Sequence, residues 1–424
     1  MSASQGDEPV FEPTEFEGDI TFDHEMVPIT LRVSTGPDCR LRLDADAVEP
    51  DAYFLVARNQ GRPGIDVGNF ALAGTSADGK TISSQSVVAT GHGHNDERRW
   101  IKFKSYECAV MLPLESRVEK PVLRLWLRSF VSFRNPVIDT SLGRMIVMGE
   151  VTNVGADDVS GCIVLEAPSR DPGHEWRDNA EDFLRHMHRG LALAHGGRLQ
   201  IPRVDFIHDF ISEITFFDGT GFNAELPVQH SVNHGPFIKA LAERYERAGA
   251  FPDTLWTALG WMQSDTVFDE TRFLSGMTAL EAIVESQLPQ SSSTIIPKTR
   301  FRFLRQKIEQ MIISDDTLSE EARNGLMGKI PDLNRKSFSQ KMRALFDHYA
   351  IPKRDFEGGV IRDLVSLRNG IVHKGLAPNR EDLWPSIILV RELITRILLK
   401  EIGFVGRYCC YIGGINDRDF PGEI

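Results

Sequence analysis

Residues 219–236 read GTGFNAELPVQHSVNHGP, a run rich in Gly, Pro, Asn and Ser that separates two hydrophobic periods. Before it, apolar residues alternate. ITLRV, CRLRLDA, YFLVA, RWIKFKS and VLRLWLRSF each divide into two faces, as strands do. In VLRLWLRSF, Leu123, Leu125 and Leu127 share one face, and Val122, Arg124, Trp126 and Arg128 share the other. RMIVMGEV and GCIVLEA bracket the turn NVGADDVSG. The pattern predicts antiparallel sheets, sandwich-like or half-barrel, to about residue 170, then a helix near Ala180–His195. VDFIHDFISEITFFDG fits either helix or strand.

After residue 236 the period becomes helical. FIKALAERYERAG, TLWTALGWMQ and TRFLSGMTALEAIVESQL come first; in the third, Phe273, Met277, Leu280, Val284 and Leu288 form one stripe. Four more helices follow: TRFRFLRQKIEQMII, SFSQKMRALFDHYA, VIRDLVSLRNGIVHKG and LWPSIILVRELITRILLKEIGF. The last is apolar nearly all round, with Glu392, Arg396 and Lys400 as a narrow charged stripe. Such a helix is buried or touches two things at once. The fold class expected is α+β: a β-rich region over 1–230, a helical domain over 235–402 and a tail over 403–424.

The chain has 424 residues, 41% hydrophobic and 25% charged, which is globular composition with room for more than one domain. No apolar run reaches the length of a membrane span. The first residues lack the basic and apolar regions of a signal peptide. Cys39, Cys108, Cys162, Cys409 and Cys410 are few and scattered, which points to a reducing, cytoplasmic setting. Residues 297–400 carry 20 Lys plus Arg against 13 Asp plus Glu, leaving 28 against 47 elsewhere. A basic segment on an acidic body is compatible with a polyanion site.

On a wheel at 100° per residue, residues 360–373 put Val360, Ile361, Leu364, Val365, Leu367, Ile371 and Val372 on one broad arc. Arg362, Ser366, Asn369 and His373 form a polar stripe opposite. Arg368 falls inside the apolar arc, where a charge must be paired or face another chain. Gly370 beside it could distort the helix. Glu281 is similarly misplaced at the edge of its own apolar arc, which suggests that Glu281 and Arg368 meet.

Arg368-Asn369-x-x-x-His373, ahead of one long apolar helix, resembles the RNxxxH signature of HEPN domains, and FLSGMTALEAIVE at 273–285 resembles the early helix of that fold. With the β-rich region in front, the layout is similar to ApeA-like HEPN proteins of prokaryotic anti-phage defence. The resemblance covers roughly 235–402 and is one of layout alone over 10–230. It implies a metal-independent endoribonuclease acting as a homodimer on RNA, with no cofactor. In that chemistry the RNA 2′-OH attacks the adjacent phosphate, leaving a 2′,3′-cyclic phosphate and a 5′-OH. His373 would transfer a proton, Arg368 would hold phosphate oxygens, Asn369 would orient the phosphate or the imidazole, and Glu281 would support Arg368. The alternative is a helical module that dimerises or docks a partner without cutting, with a β domain that senses an unknown ligand or phage trigger.

Other candidates are weaker. GHGHND, with His92, His94 and Asp96, could hold a metal, although its composition is that of a turn. His188 and His195 stand about 10.5 Å apart by helix rise, too far to share an ion with each other. His230 and His234 have i,i+4 spacing in a segment that does not read as helical. No GxGxxG, Walker A or HExxH occurs. Lys298, Arg300, Arg302, Arg305 and Lys307 are a basic cluster suited to guiding an RNA backbone, or a solvated helix face.

Overall fold

Alternation becomes antiparallel pairing in the computed structural model, which describes residues 11–59, 69–95, 98–151, 154–263, 266–289, 293–377, 379, 381 and 383–422. Two compact units emerge, Met1–Ala250 and Phe251–Ile424. In chain order the first contains β1 (Thr14–Phe22), β2 (Glu25–Thr35), β3 (Leu41–Asp46), α1 (Pro50–Asn59), β4 (Phe70–Thr75), β5 (Thr81–His94), β6 (Arg99–Ser105), β7 (Glu107–Pro113), β8 (Val122–Arg128), β9 (Val137–Thr140), β10 (Gly143–Gly149), β11 (Val159–Glu166), α2 (Trp176–His195), β12 (Arg203–His208), β13 (Ile211–Phe217) and α3 (His234–Ala248).

Strands β4, β1, β2, β3, β6 and β5 pair in that order, and β5 pairs back onto β4, which closes a ring. Phe16, Ile20, Leu31, Val33, Leu43, Ile82 and Ile101 fill it. The start of β5, Thr81–Ser83, also pairs with β7. From β7 the sheet runs on through β13, β12, β8, β11, β10 and β9, with α2 packed against β8 and β11. All five cysteines are buried, and none forms a disulfide.

Several expectations are corrected in this unit. YFLVA lies in α1, not a strand: Ala52, Tyr53, Leu55 and Val56 are buried at helical spacing against the ring. The sheet does not end near 170. VDFIHDFISEITFFDG forms the hairpin β12–β13, turning at Asp209 (φ 47°), and inserts between β7 and β8. The units divide at 250, after α3, because α3 packs on α2. There a Cβ added to Gly190 would sit 2.1 Å from Leu241, so glycine permits the close approach. His234 opens that helix. Asp96 of GHGHND lies outside the described residues.

The second unit contains α4 (Asp253–Met262), α5 (Asp269–Gln287), α6 (Lys298–Ile313), α7 (Glu320–Lys329), α8 (Phe338–Tyr349), α9 (Val360–Lys374), α10 (Leu383–Ile402), β14 (Gly406–Cys410) and β15 (Asn416–Phe420). The stripe Phe273, Met277, Leu280, Val284 and Leu288 is buried as its spacing predicts. Helix α7 is an element the apolar pattern does not reveal, since neither it nor α6 buries a side chain. Helix α9 runs unbroken through Gly370.

Helix α10 packs against α5, where Gly276 lies close to Val390. Two members of its charged stripe are not wet. Arg396 and Glu392 are each 3% exposed. Arg396 Nε donates to Glu392 Oε1 at 2.8 Å, Nη1 to the Pro352 carbonyl at 3.0 Å, and Nη2 to Asp355. Tyr408 Oη donates to Glu392 Oε1 at 2.6 Å, and Arg418 donates to Asp355. Residues 403–424 are therefore no loose tail: β14–β15 is a hairpin tied onto α10. From Val390 to Leu399 only Arg391 escapes burial within this one chain. The hairpin and the loop before α9 cover this part of α10, while Trp384 near its start stays 43% exposed.

Burial alone would raise the Asp355 carboxyl; hydrogen bonds from Arg418 and Arg396 outweigh it and hold the group below the usual carboxylate range. Replacing Arg396 with Met leaves Glu392 with the Tyr408 hydroxyl and Asp355 with Arg418, so one cation remains for two carboxylates. The variant is expected to lose about 3–5 kcal/mol of stability in urea unfolding. A loss below about 1 kcal/mol would show that the network is not closed as described.

Candidate functional site

Helix α9 ends on Gly375 in the left-handed conformation (φ 76°), whose N–H donates to the Ile371 carbonyl at 2.7 Å. That stop places His373 in the last turn. Only Ile361, Leu364 and Ile371 of α9 are buried, so the helix contributes a narrow seam to the core. Val372, expected on the apolar arc, is 54% exposed. The polar stripe Arg362, Ser366, Asn369 and His373 faces solvent, as the wheel predicts.

Arg368 and Glu281 do meet. Arg368 Nη2 lies 3.5 Å from Glu281 Oε2, and both side chains are about one-third exposed. The pair sits at the α5–α9 contact with one side open to water. Arg368 Nη1 also donates to Asn369 Oδ1 at 3.3 Å. His373 is exposed and has no hydrogen-bond partner among the described residues. Asn369 and His373, at i and i+4, stand one above the other. Arg368 and His373 are about 140° apart around the helix and about 7.5 Å apart along it. One chain alone therefore does not aim the guanidinium and the imidazole at one atom. A phosphate chain lying along α9, or a second α9, could span them.

Beside the site, Val360, Leu364 and Leu367 of α9 face Ser386 and Leu389 of α10 across a groove of about 520 Å³. Val372, Leu376 and Trp384 are large apolar side chains exposed in and between the two helices.

The basic cluster is divided by the helix that carries it. Lys298 and Arg305 face a cavity shared with α5 and α8, and Arg335 and Lys341 join them from other segments. Arg300 and Lys307 lie on the far side with exposed Phe303, Leu304 and Met311; Arg302 is exposed but does not line the cavity. The wheel of α6 could have separated these faces. The cations from α8 and from the turn before it could not be found that way.

Four of the remaining histidines are structural. His186 Nε2 donates to the Leu241 carbonyl at 3.2 Å, and His188 Nε2 to the Leu199 carbonyl at 2.7 Å. His195 Nε2 reaches Ser129 Oγ at 3.4 Å, and His234 stacks on Phe130 at 5.7 Å. Burial pushes all four down to about 4, so they are neutral at pH 7. No group of three or more metal-binding side chains occurs among the described residues, and no described helix is long and apolar enough to cross a membrane. In the first unit, α2 and the sheet enclose a cavity of about 730 Å³ where Arg177 lies over the Phe206 ring at 4.3 Å. Comparison with protein-family models, curated proteins and solved structures finds no match.

The half-exposed Arg368–Glu281 pair should be weak and leave Arg368 available. A double-mutant cycle with Arg368→Met and Glu281→Gln is expected to give a coupling of about 1 kcal/mol or less in urea unfolding. A coupling of about 3 kcal/mol would make the pair a core ion pair and remove Arg368 from any site.

Proposed function

We propose that the chain is a metal-independent endoribonuclease of the HEPN type, working as a homodimer on RNA in anti-phage defence. The carrying observation is the state of α9. Its Arg368 is held by Glu281 at an open contact, while Asn369 and His373 stand uncovered on the same helix. A structural arginine would be closed over, and a structural histidine would be capped or packed, as His186, His188, His195 and His234 are.

The residues suit transesterification. Arg368 offers a planar fork to phosphate oxygens and can exchange one contact with Glu281 for two with a phosphate. Asn369, already bonded to that guanidinium, sets its angle. His373 takes the 2′-OH proton or returns one to the leaving 5′-oxygen. One imidazole cannot do both in a single step. The second copy supplies the other, and the 140° separation within one chain favours the same reading. The dimer contact is assigned to the outer face of α9 and the groove beside Leu389, continuous with the site, and not to the body of α10. Two facing Arg368 side chains repel until a phosphate lies between them, so RNA binding and assembly reinforce each other.

The second reading is a binding module that docks a partner without cleavage. It is favoured by the engagement of Arg368 with Glu281. In either reading the cavity between α2 and the sheet is the place for a ligand or trigger of the first unit.

His373→Ala is expected to lower RNA cleavage by about 10²–10⁴-fold with unchanged circular dichroism. Sedimentation of the parent should show a dimer at micromolar concentration with RNA. Undiminished cleavage by His373→Ala protein would exclude the mechanism, and a strict monomer would exclude the composite site.

A further inference from the structure

Between α5, α6 and α8 lies a cavity of about 640 Å³. Lys298, Arg305, Arg335 and Lys341 line it against one carboxylate, Glu285, with the Phe301 ring in the wall. Its floor is rigidly built. Asn334 is 5% exposed, and its side-chain amide accepts from the Ile296 N–H at 2.9 Å and donates to the Ile296 carbonyl at 3.0 Å. The Ile295 N–H donates to the Asn334 carbonyl at 2.9 Å, and the Lys336 N–H to the Ser293 carbonyl at 3.0 Å. These bonds fix Arg335 opposite Thr294 as an antiparallel bridge.

The cations are not used up inside the chain. Lys298 has no partner among the described residues. Arg305 meets Glu309 at 2.6 Å and Arg335 meets Asp332 at 3.2 Å, in solvent-screened pairs that hold the guanidiniums weakly. Each guanidinium has five donors, and one carboxylate leaves most of them free. Lys341 pairs with Glu285. The first turn of α6, which enters the wall at Lys298, has neither an acidic residue nor a side-chain cap. Four cations against three carboxylates, of which only Glu285 lines the cavity, leave an excess of donors that suits an anion with several acceptor oxygens.

The cavity and Arg368 border the same stretch of α5. Glu285, bonded to Lys341, follows Glu281, bonded to Arg368, by one helical turn, about 6 Å of rise. We infer that this cavity is a phosphate subsite that seats the RNA backbone beside the cleavage position, with Phe301 available to stack on a base. The inference rests on reading Arg368 and His373 as the cleavage site.

The test uses full-length protein carrying His373→Ala, so that RNA is not consumed. Its affinity for a fluorescent single-stranded RNA is followed by anisotropy across a salt series, with and without Lys298→Glu/Arg335→Glu. Both positions are exposed, and circular dichroism should not change. The double reversal is expected to weaken binding at least tenfold and to reduce the salt slope by about 1.4, the value for two lost phosphate contacts on a single strand. Lys298→Arg/Arg335→Lys should bind like the parent. Unchanged affinity and slope would overturn the subsite while leaving the reading of His373 intact. Adenosine monophosphate binding that depends on Lys298 and Arg335, with RNA affinity unmoved, would also overturn it, making the cavity a free-nucleotide site. If His373→Ala protein still cleaves RNA but the reversal weakens binding as expected, the subsite stands and the cleavage reading falls.

Discussion

Arg396 lies inside the helical unit with all three of its guanidinium nitrogens engaged, by Glu392, Asp355 and the Pro352 carbonyl. The position of α9 depends on this arrangement. Pro352 and Asp355 belong to the connection that leads into α9, Glu392 is one turn back on α10, and Tyr408 and Arg418 tie the terminal hairpin to the same carboxylates. Two guanidiniums balance two carboxylates, so the desolvation of each is offset by a partner. The Arg396 guanidinium also lies 5.0 Å from the Phe356 ring, which stacks on Phe346 of α8. One buried cluster thus joins α8, α10, the hairpin and the start of α9. The remainder of α9 needs only Ile361, Leu364 and Ile371 in the core. That is why its other faces can leave Arg362, Ser366, Asn369 and His373 exposed.

The division into a β-rich and a helical part was legible because each period is imposed by burial. Leu123, Leu125 and Leu127 alternate since one face of β8 is covered, and Phe273, Met277 and Leu280 recur at helical spacing since one face of α5 is. Legibility failed where the pattern was short or the partner distant. Five residues, YFLVA, suit a strand as well as a helix, and tertiary packing on the ring chose the helix. The hairpin β12–β13 enters the sheet between strands that precede it by many residues, which no local pattern encodes. The nearly all-round apolar pattern of α10 marked it as a buried helix, but the groups that cover its charges, Tyr408 and Arg418, lie beyond the helix and do not show in its own pattern.

The candidate site was legible in its main part. Arg368 and Glu281 each broke the apolar arc of a helix, and two such breaks in one bundle resolve most simply by pairing, as they do at 3.5 Å. The exposed stripe with Asn369 and His373 followed from the same wheel. The basic cavity was half legible: Lys298 and Arg305 stood out, but Arg335 and Lys341 enter through the fixed turn around Asn334. Among its described residues the first unit offers no comparable constellation, since its buried histidines serve carbonyls and packing.

The central claim is that the groups on α9 carry out RNA transesterification without a metal. It is tested most directly by incubating the purified chain with RNA in excess EDTA and determining the product ends by mass spectrometry. The account predicts cleavage that persists in EDTA and yields 2′,3′-cyclic phosphate and 5′-OH ends. Cleavage that requires Mg²⁺ or Mn²⁺ and leaves 3′-OH ends would contradict it.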